Sequence, residues 1–177
     1  MGQGLGTLAG LVTAFAMTFI ILTFGSIMPN DLIAGTIVDD FLMTGELEVR
    51  LAVTGTILFP APAFISSTTL GSLVGYGAAG ASVLMWLAWG TGGLVAGLLT
   101  KEIVPGILSA IFSAILGAFL TWILFFMISP SFASTGIAAI FQQGSLLIMQ
   151  TALEGTVYPA IACTIGGILG SAITRDR

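Results

Sequence analysis

Residues 78–102 read AAGASVLMWLAWGTGGLVAGLLTKE, and this stretch decides the fold. Its first twenty-three residues carry no charge, and about 20 apolar residues are enough to cross the hydrocarbon core of a bilayer. Lys101 and Glu102 follow at once and mark the return of the chain to water. The sequence therefore predicts a membrane-spanning helix from about Ala78 to Thr100.

The rest of the chain has the same apolar character. Charged residues make up 7% of its 177 residues and the mean hydropathy is +1.12, whereas about 25% of the residues in soluble domains are charged. A β-barrel would need regularly alternating polar and apolar runs and a polar lumen. We therefore predict an all-α integral membrane protein with a single transmembrane domain over residues 1–177, surrounded by membrane lipids and without a nucleic-acid partner.

Breaker residues and charges divide this domain into a bundle of about four to five transmembrane helices. Besides residues 78–100, the predicted spans are Leu5–Met28, Pro105–Ile128 and Leu146–Thr174, the last with a helix break at Pro159. Residues 30–50 contain five acidic side chains, which predicts an acidic external loop that is partly helical along the membrane surface. Pro60 and Pro62 are further predicted breaks, so residues 51–70 form either a kinked fifth span or a shorter re-entrant segment.

Two stretches of the chain resemble each other. Residues 91–102 align without gaps on residues 165–176, and both end in threonine, a base and an acid. Gly6–Phe19 matches Gly106–Phe119 more loosely. The pattern predicts a tandem internal repeat with units 5–102 and 105–176; the alternative is that glycine-rich apolar helices resemble one another by composition.

The charged ends also predict an orientation. In the repeat, Lys101 and the C-terminus lie on the same side of the membrane, and basic residues favour the cytoplasmic side. The acidic loop then faces outward. We expect a multi-pass protein of the cell membrane with Lys101 and the C-terminus in the cytoplasm.

Glycine spacing predicts where helices pack. Gly93 and Gly97 form one Gly-x-x-x-Gly step, and Gly166 and Gly170 form another. Such steps let two backbones approach closely in lipid. The partner helix is left open: it belongs to the same chain, to a second copy in a homo-oligomer, or to another membrane subunit. Trp86, Trp89 and Trp122 lie within or towards the ends of spans, where anchoring at the membrane surface is commoner than stacking on a ligand, so we expect them to be structural.

Glu154 is the main candidate for a functional side chain. It lies near the start of the last predicted span, and a carboxylate in hydrocarbon costs on the order of 3 kcal/mol. Gln150 and Tyr158 lie four residues to either side of it, on the same helical face. The three residues predict a polar or ion path; the alternative is that Glu154 lies in the outer interface, solvated or beside a lipid headgroup.

Several kinds of chemistry are not expected. The chain has no histidine and a single cysteine, Cys163, so a metal site, a cofactor and enzymatic catalysis are not predicted. Two functions are left. The first is the transmembrane passage of an ion or small solute between repeated halves, near Pro60 and Glu154. The alternative is a non-catalytic structural or assembly subunit of a larger membrane protein complex.

Overall fold

A computed structural model describes residues 2–29, 32–33, 35–43, 47–59, 81–128 and 145–175. Within these residues every regular element is helical. The α-helices are α1 (Gly2–Thr23), α2 (Gly35–Met43), α3 (Leu47–Leu58), α4 (Ala81–Thr100), α5 (Ile103–Ile128) and α6 (Ser145–Arg175), with one 3-10 turn at Gly25–Ile27.

Four of these helices are long and apolar enough to cross a membrane. The qualifying segments are Gly2–Thr23, Ser82–Thr100, Ile103–Leu124 and Gly155–Thr174. The prediction of an all-helical multi-pass membrane protein is confirmed at this level. For residues 51–70 the sequence left open a fifth crossing or a re-entrant segment. The structure describes only residues 51–59 of this stretch, most of them in α3. Residues 60–80, with Pro60 and Pro62, lie outside the described part of the chain.

Large apolar side chains cover the outside of the bundle. Val12 of α1 is 64% exposed, and many others on all four long helices point outward, among them Phe19, Val83, Phe112, Phe119, Ile161 and Leu169. A soluble protein does not leave so much contiguous apolar surface in water. This surface matches the hydrocarbon core of a bilayer.

Helix contacts fix the direction of each span. A Cβ added at Gly10 of α1 would lie 3.0 Å from the carbonyl oxygen of Gly92, and one added at Gly6 would lie 3.1 Å from that of Ala96, so α1 and α4 are antiparallel. The Ser109 and Ser113 hydroxyls of α5 donate to the carbonyl oxygens of Gln3 (3.0 Å) and Thr7 (2.7 Å), so α1 and α5 are parallel. The spans therefore run up, down, up and down.

The two ends of the bundle are distinct. We call one the Lys101 end: it holds the start of α1, the end of α6 and the turn between α4 and α5. Lys101 itself has a φ of 61°, and its amide donates to the Gly97 carbonyl at 3.2 Å, a helix-ending arrangement usually made by glycine. The opposite end holds α2 and α3 with the exposed Arg50, and we call it the Arg50 end.

The four packing glycines meet at the contact between α4 and α6. A Cβ added at Gly93, Gly97, Gly166 or Gly170 would collide with a carbonyl oxygen of the facing helix. The colliding pairs, glycine first, are Gly93 with Cys163, Gly97 with Gly167, Gly166 with Gly90 and Gly170 with Leu94. The partner helix that the sequence left open is thus in the same chain.

This contact has a local two-fold relationship. If Gly93 of α4 is matched with Gly166 of α6, the pair Gly93–Cys163 takes the place of the pair Gly166–Gly90. In the same way, matching Gly97 with Gly170 exchanges the pair Gly97–Gly167 with the pair Gly170–Leu94. The alignment of residues 91–102 on residues 165–176 instead matches Gly93 with Gly167. The contact and the alignment therefore differ by one residue in register, because the contact is decided by which backbone atoms face the other helix.

Replacing Gly97 by alanine is expected to disrupt this contact. The new methyl would meet backbone atoms that have no rotamer to change, which costs roughly 1–3 kcal/mol of overpacking. Gly90→Ala on the same helix is the matched control, because its added Cβ meets nothing within 4 Å. The unfolding midpoint of the purified protein in detergent should fall for Gly97→Ala and hold for Gly90→Ala; equal midpoints for the two variants would contradict the contact.

Candidate functional site

Helices α2 and α3 close the bundle at the Arg50 end. Val38 and Phe41 of α2 and Val53 and Ile57 of α3 are buried together with Ile21, Leu22, Ile33 and Leu84. The Phe41 ring packs edge-on against Phe19, with centroids 6.0 Å apart, and the Arg50 guanidinium lies 5.9 Å from the Phe41 centroid. The aromatic contacts therefore fix α2 against α1 and the start of α3 against α2.

The last residues of α3 lie inside the bundle. Leu58 and Phe59 are 0% and 2% exposed and belong to one buried cluster with Ala88, Trp89 and Cys163. The rings of Phe59 and Trp89 are 5.6 Å apart. Trp89 lies eleven residues, about 16 Å of helix, from Thr100, so the end of α3 packs against a side chain that is attached near the middle of α4.

Trp89 replaces a hydrogen bond that a proline at position 62 cannot make to the end of α3. In a continuing helix, the amide of residue 62 would donate to the Leu58 carbonyl, but residue 62 is proline and has no N–H. The Trp89 indole Nε1–H donates to this carbonyl at 2.8 Å instead. An unpaired carbonyl is costly in an apolar interior, so this bond stabilises a helix end at this depth.

The end of α3 lies against α6 next to Glu154. A Cβ added at Gly155 would lie 3.6 Å from both the Cβ and the carbonyl oxygen of Phe59. Glu154 and Gln150 lie in α6, and only their backbone is described. Glu154 is twenty residues from Thr174, about 30 Å of helix, which is the thickness of a hydrocarbon core. Residue 154 is therefore near the Arg50 end of the span and far from its middle.

Two other predicted residues are described more fully. Tyr158 is half-buried and packs against the cluster that contains Phe59 and Trp89. Pro159 is buried within α6, and the helix continues on both sides of it. A proline in a membrane helix leaves one carbonyl without its usual donor, and this is tolerated where neighbouring helices pack closely.

One buried polar atom of α5 has an unusual environment. Thr121 of α5 is 6% exposed, and its Oγ1 has no hydrogen-bond partner among the residues that the structure describes. Most other buried hydroxyls have one: that of Thr18 donates to the Ala14 carbonyl at 3.0 Å, and that of Ser171 to the Gly167 carbonyl at 2.6 Å. A buried hydroxyl without a partner requires an explanation, such as a bound water or ion.

The described residues offer little for metal or covalent chemistry. No group of three or more His, Cys, Asp or Glu side chains comes together within them. Cys163 is buried where α4 meets α6. An apolar groove of about 580 Å³ lies between α1 and α5 and is lined by residues such as Phe15, Phe19 and Ile123.

Trp89 is a structural residue of the core. It is fully buried at the centre of the bundle and does not anchor a helix at the membrane surface, whereas Trp86 is 41% exposed on the outer face. The spacing of the sequence could have indicated this position, because Trp89 lies three and four residues before Gly92 and Gly93 and therefore on the same packing face of the helix. Thr121 was missed as well, although it continues the small-residue face of Gly117 and Ala118.

Comparison with known proteins gives no family for this chain: no family model, no curated protein and no solved structure matches it.

Replacing Trp89 by phenylalanine is expected to destabilise the protein by about 1–3 kcal/mol, because the ring remains while the buried Leu58 carbonyl loses its donor. Trp86→Phe should change stability by less than about 0.5 kcal/mol, since that side chain faces outward. Chemical unfolding in mixed micelles measures both. If the two substitutions cost the same, the indole bond does not hold the end of α3.

Proposed function

We propose that this chain mediates the passage of an ion or small solute across the membrane, beside the end of α3. The observation that carries the proposal is the contact of Phe59 with Gly155. Phe59 precedes Pro60 and Gly155 follows Glu154, so the contact joins the two regions in which the sequence predicts an interrupted, polar path.

A helix that ends inside a bundle is the main physical support. Helix α3 has twelve residues, about 18 Å, and is too short to cross the hydrocarbon core. We interpret it as a re-entrant helix. Backbone that stops being helical at membrane depth is tolerated where protein or a water-filled cavity surrounds it, and transporters build their binding sites from such interrupted helices.

Glu154 has a specific place in this proposal. Its position about 30 Å along α6 from Thr174 favours the mouth of a path at the Arg50 end. Gln150 and Tyr158, one turn away on either side, extend the polar face along α6. A carboxylate at the mouth attracts a solute without the full cost of burial at mid-membrane.

The two halves of the chain fit the same proposal. Units 5–102 and 105–176 each contribute one helix to the α4–α6 contact, as expected for two halves that arose by duplication. Duplicated halves commonly have a substrate site between them. We propose that the chain acts without catalysis in the cell membrane, in contact with lipids and with further copies of itself or other subunits.

Orientation can be measured directly. We propose that the Lys101 end is cytoplasmic, because Lys101 and Arg175 lie there. In a Cys163→Ala background, a cysteine at the exposed Glu102 should react with a membrane-impermeant maleimide only from inside, and one at the exposed Ser26 only from outside. Reaction of both from one side of intact cells would contradict the up–down order of the spans.

One observation favours the alternative, a non-catalytic subunit of a membrane complex. The groove between α1 and α5 is on the outer face of the bundle and is apolar throughout, which suits a helix of another subunit. If the chain is such a subunit, it should co-purify with fixed partners from its native membrane and show no flux alone.

Passage is tested with the full chain in liposomes. We expect release of trapped K⁺ or of a small neutral solute well above that of protein-free vesicles. Release of K⁺ should fall roughly tenfold on Glu154→Gln, because loss of the carboxylate weakens the attraction of a cation at the mouth. Glu102→Gln is the matched control: it removes an exposed carboxylate at the other end. Wild-type release no greater than that of empty vesicles would refute the proposal.

A further inference from the structure

We propose that the solute held beside the end of α3 is a small cation; this inference rests on the proposed function and adds the substrate class. The inference rests on the C-terminus of α3, the buried hydroxyl oxygen of Thr121 on α5, and residue 154 of α6, which precedes the contact of Gly155 with Phe59. Each presents an oxygen atom or negative charge, and together they suit a cation and repel an anion.

The end of α3 provides the first of these groups. The C-terminus of a helix carries about half a negative charge, concentrated on its last carbonyl oxygens. The Leu58 carbonyl accepts one bond from the Trp89 indole, and a carbonyl oxygen has a second lone pair. In the apolar surroundings of Phe59 and Trp89, this partial charge is weakly screened.

Thr121 is the second and independent observation. Trp89 joins α3 to α5: its indole nitrogen donates to the Leu58 carbonyl, and its ring lies against Gly117, where an added Cβ would be 2.6 Å from the ring carbon Cη2. Thr121 follows Gly117 by one turn on the same inward face, towards the end from which α3 enters. Its unpartnered Oγ1 therefore belongs to the inward face of α5, which packs against the Trp89 ring one turn away.

The distribution of basic residues supports a cation as well. Of the four basic residues, Lys101 lies at the opposite end of the bundle, and Arg175 and Arg177 are at the C-terminus. Arg50 is on α3 two turns before Leu58, where it is exposed and lies over the Phe41 ring. None of these places a positive charge beside Leu58 and Thr121, so a cation there meets no fixed competitor.

The site also favours a small ion. Phe59 and Trp89 are fully buried and their rings are 5.6 Å apart, so the apolar walls are closely packed. An ion such as Na⁺ or K⁺ sheds part of its water to bind carbonyl and hydroxyl oxygens, as ions do in channel filters. A bulky organic cation cannot approach these oxygens. The inference is therefore of a partly dehydrated alkali-metal ion.

Thermal unfolding of the full chain in detergent tests this inference without any transport. The midpoint should be about 2 °C or more higher in NaCl or KCl than in choline chloride at equal ionic strength, because the native state binds the small ion. Thr121→Val should remove the difference and Thr121→Ser should keep it. Thr164→Val is the control, because the Thr164 hydroxyl donates within its own helix to the Ala160 carbonyl.

The outcomes separate this inference from the proposed function. Equal midpoints in all three salts for the wild-type protein, or a difference that Thr121→Val leaves intact, would overturn the cation site. In liposomes with a KCl gradient, a diffusion potential near that of K⁺ supports the site, and one near that of Cl⁻ overturns it. If the protein releases a neutral solute from liposomes and its unfolding midpoints are equal in the three salts, passage is supported and the cation site is refuted. If the midpoint depends on the salt but the protein gives no flux in liposomes, the cation site is supported and passage is refuted.

Discussion

The backbone contact between α4 and α6 is the constraint on which the rest of the bundle depends. Helices in lipid gain no hydrophobic free energy by associating, so they need close packing of their surfaces. Four glycines allow backbone to meet backbone in this pair. The same rule extends outward, because Gly6 and Gly10 bring α1 against α4, and Gly106 brings α5 against Ser171 of α6. Small residues thus assemble the four spans without charge or disulfide.

This way of packing determines where a short helix can enter. The inward faces of the spans are mostly glycine and alanine, and Gly117 of α5 leaves the space that the Trp89 ring occupies. The ring then presents its N–H to the end of α3, which has lost a helical donor at Pro62. Packing and hydrogen bonding are therefore linked at one side chain, since the indole fills the space at Gly117 and satisfies the Leu58 carbonyl.

The spans could be predicted from the sequence and the interior could not. Residues 78–100 and 105–128 were predicted within a few residues of α4 and α5, because long uncharged runs have one stable form in lipid. Gly93 and Gly166 were predicted to pack by their spacing. Tryptophan commonly lies at membrane interfaces, and at Trp89 that preference is overridden by a single buried acceptor. The presence of such an acceptor depends on which helices become neighbours, and the spacing of residues along one helix does not give this information.

A site built from partial charges suits passage better than one built from full charges. An ion must bind well enough to enter and weakly enough to leave, so a buried carboxylate would hold it too tightly. A helix end and a threonine hydroxyl are weaker groups, and in the proposed arrangement the full charge of Glu154 is at the mouth, where water screens it. The scarcity of ionised side chains in this chain, 7% of its residues, is then what the proposed passage requires, because the interior attracts an ion through backbone and hydroxyl oxygens alone.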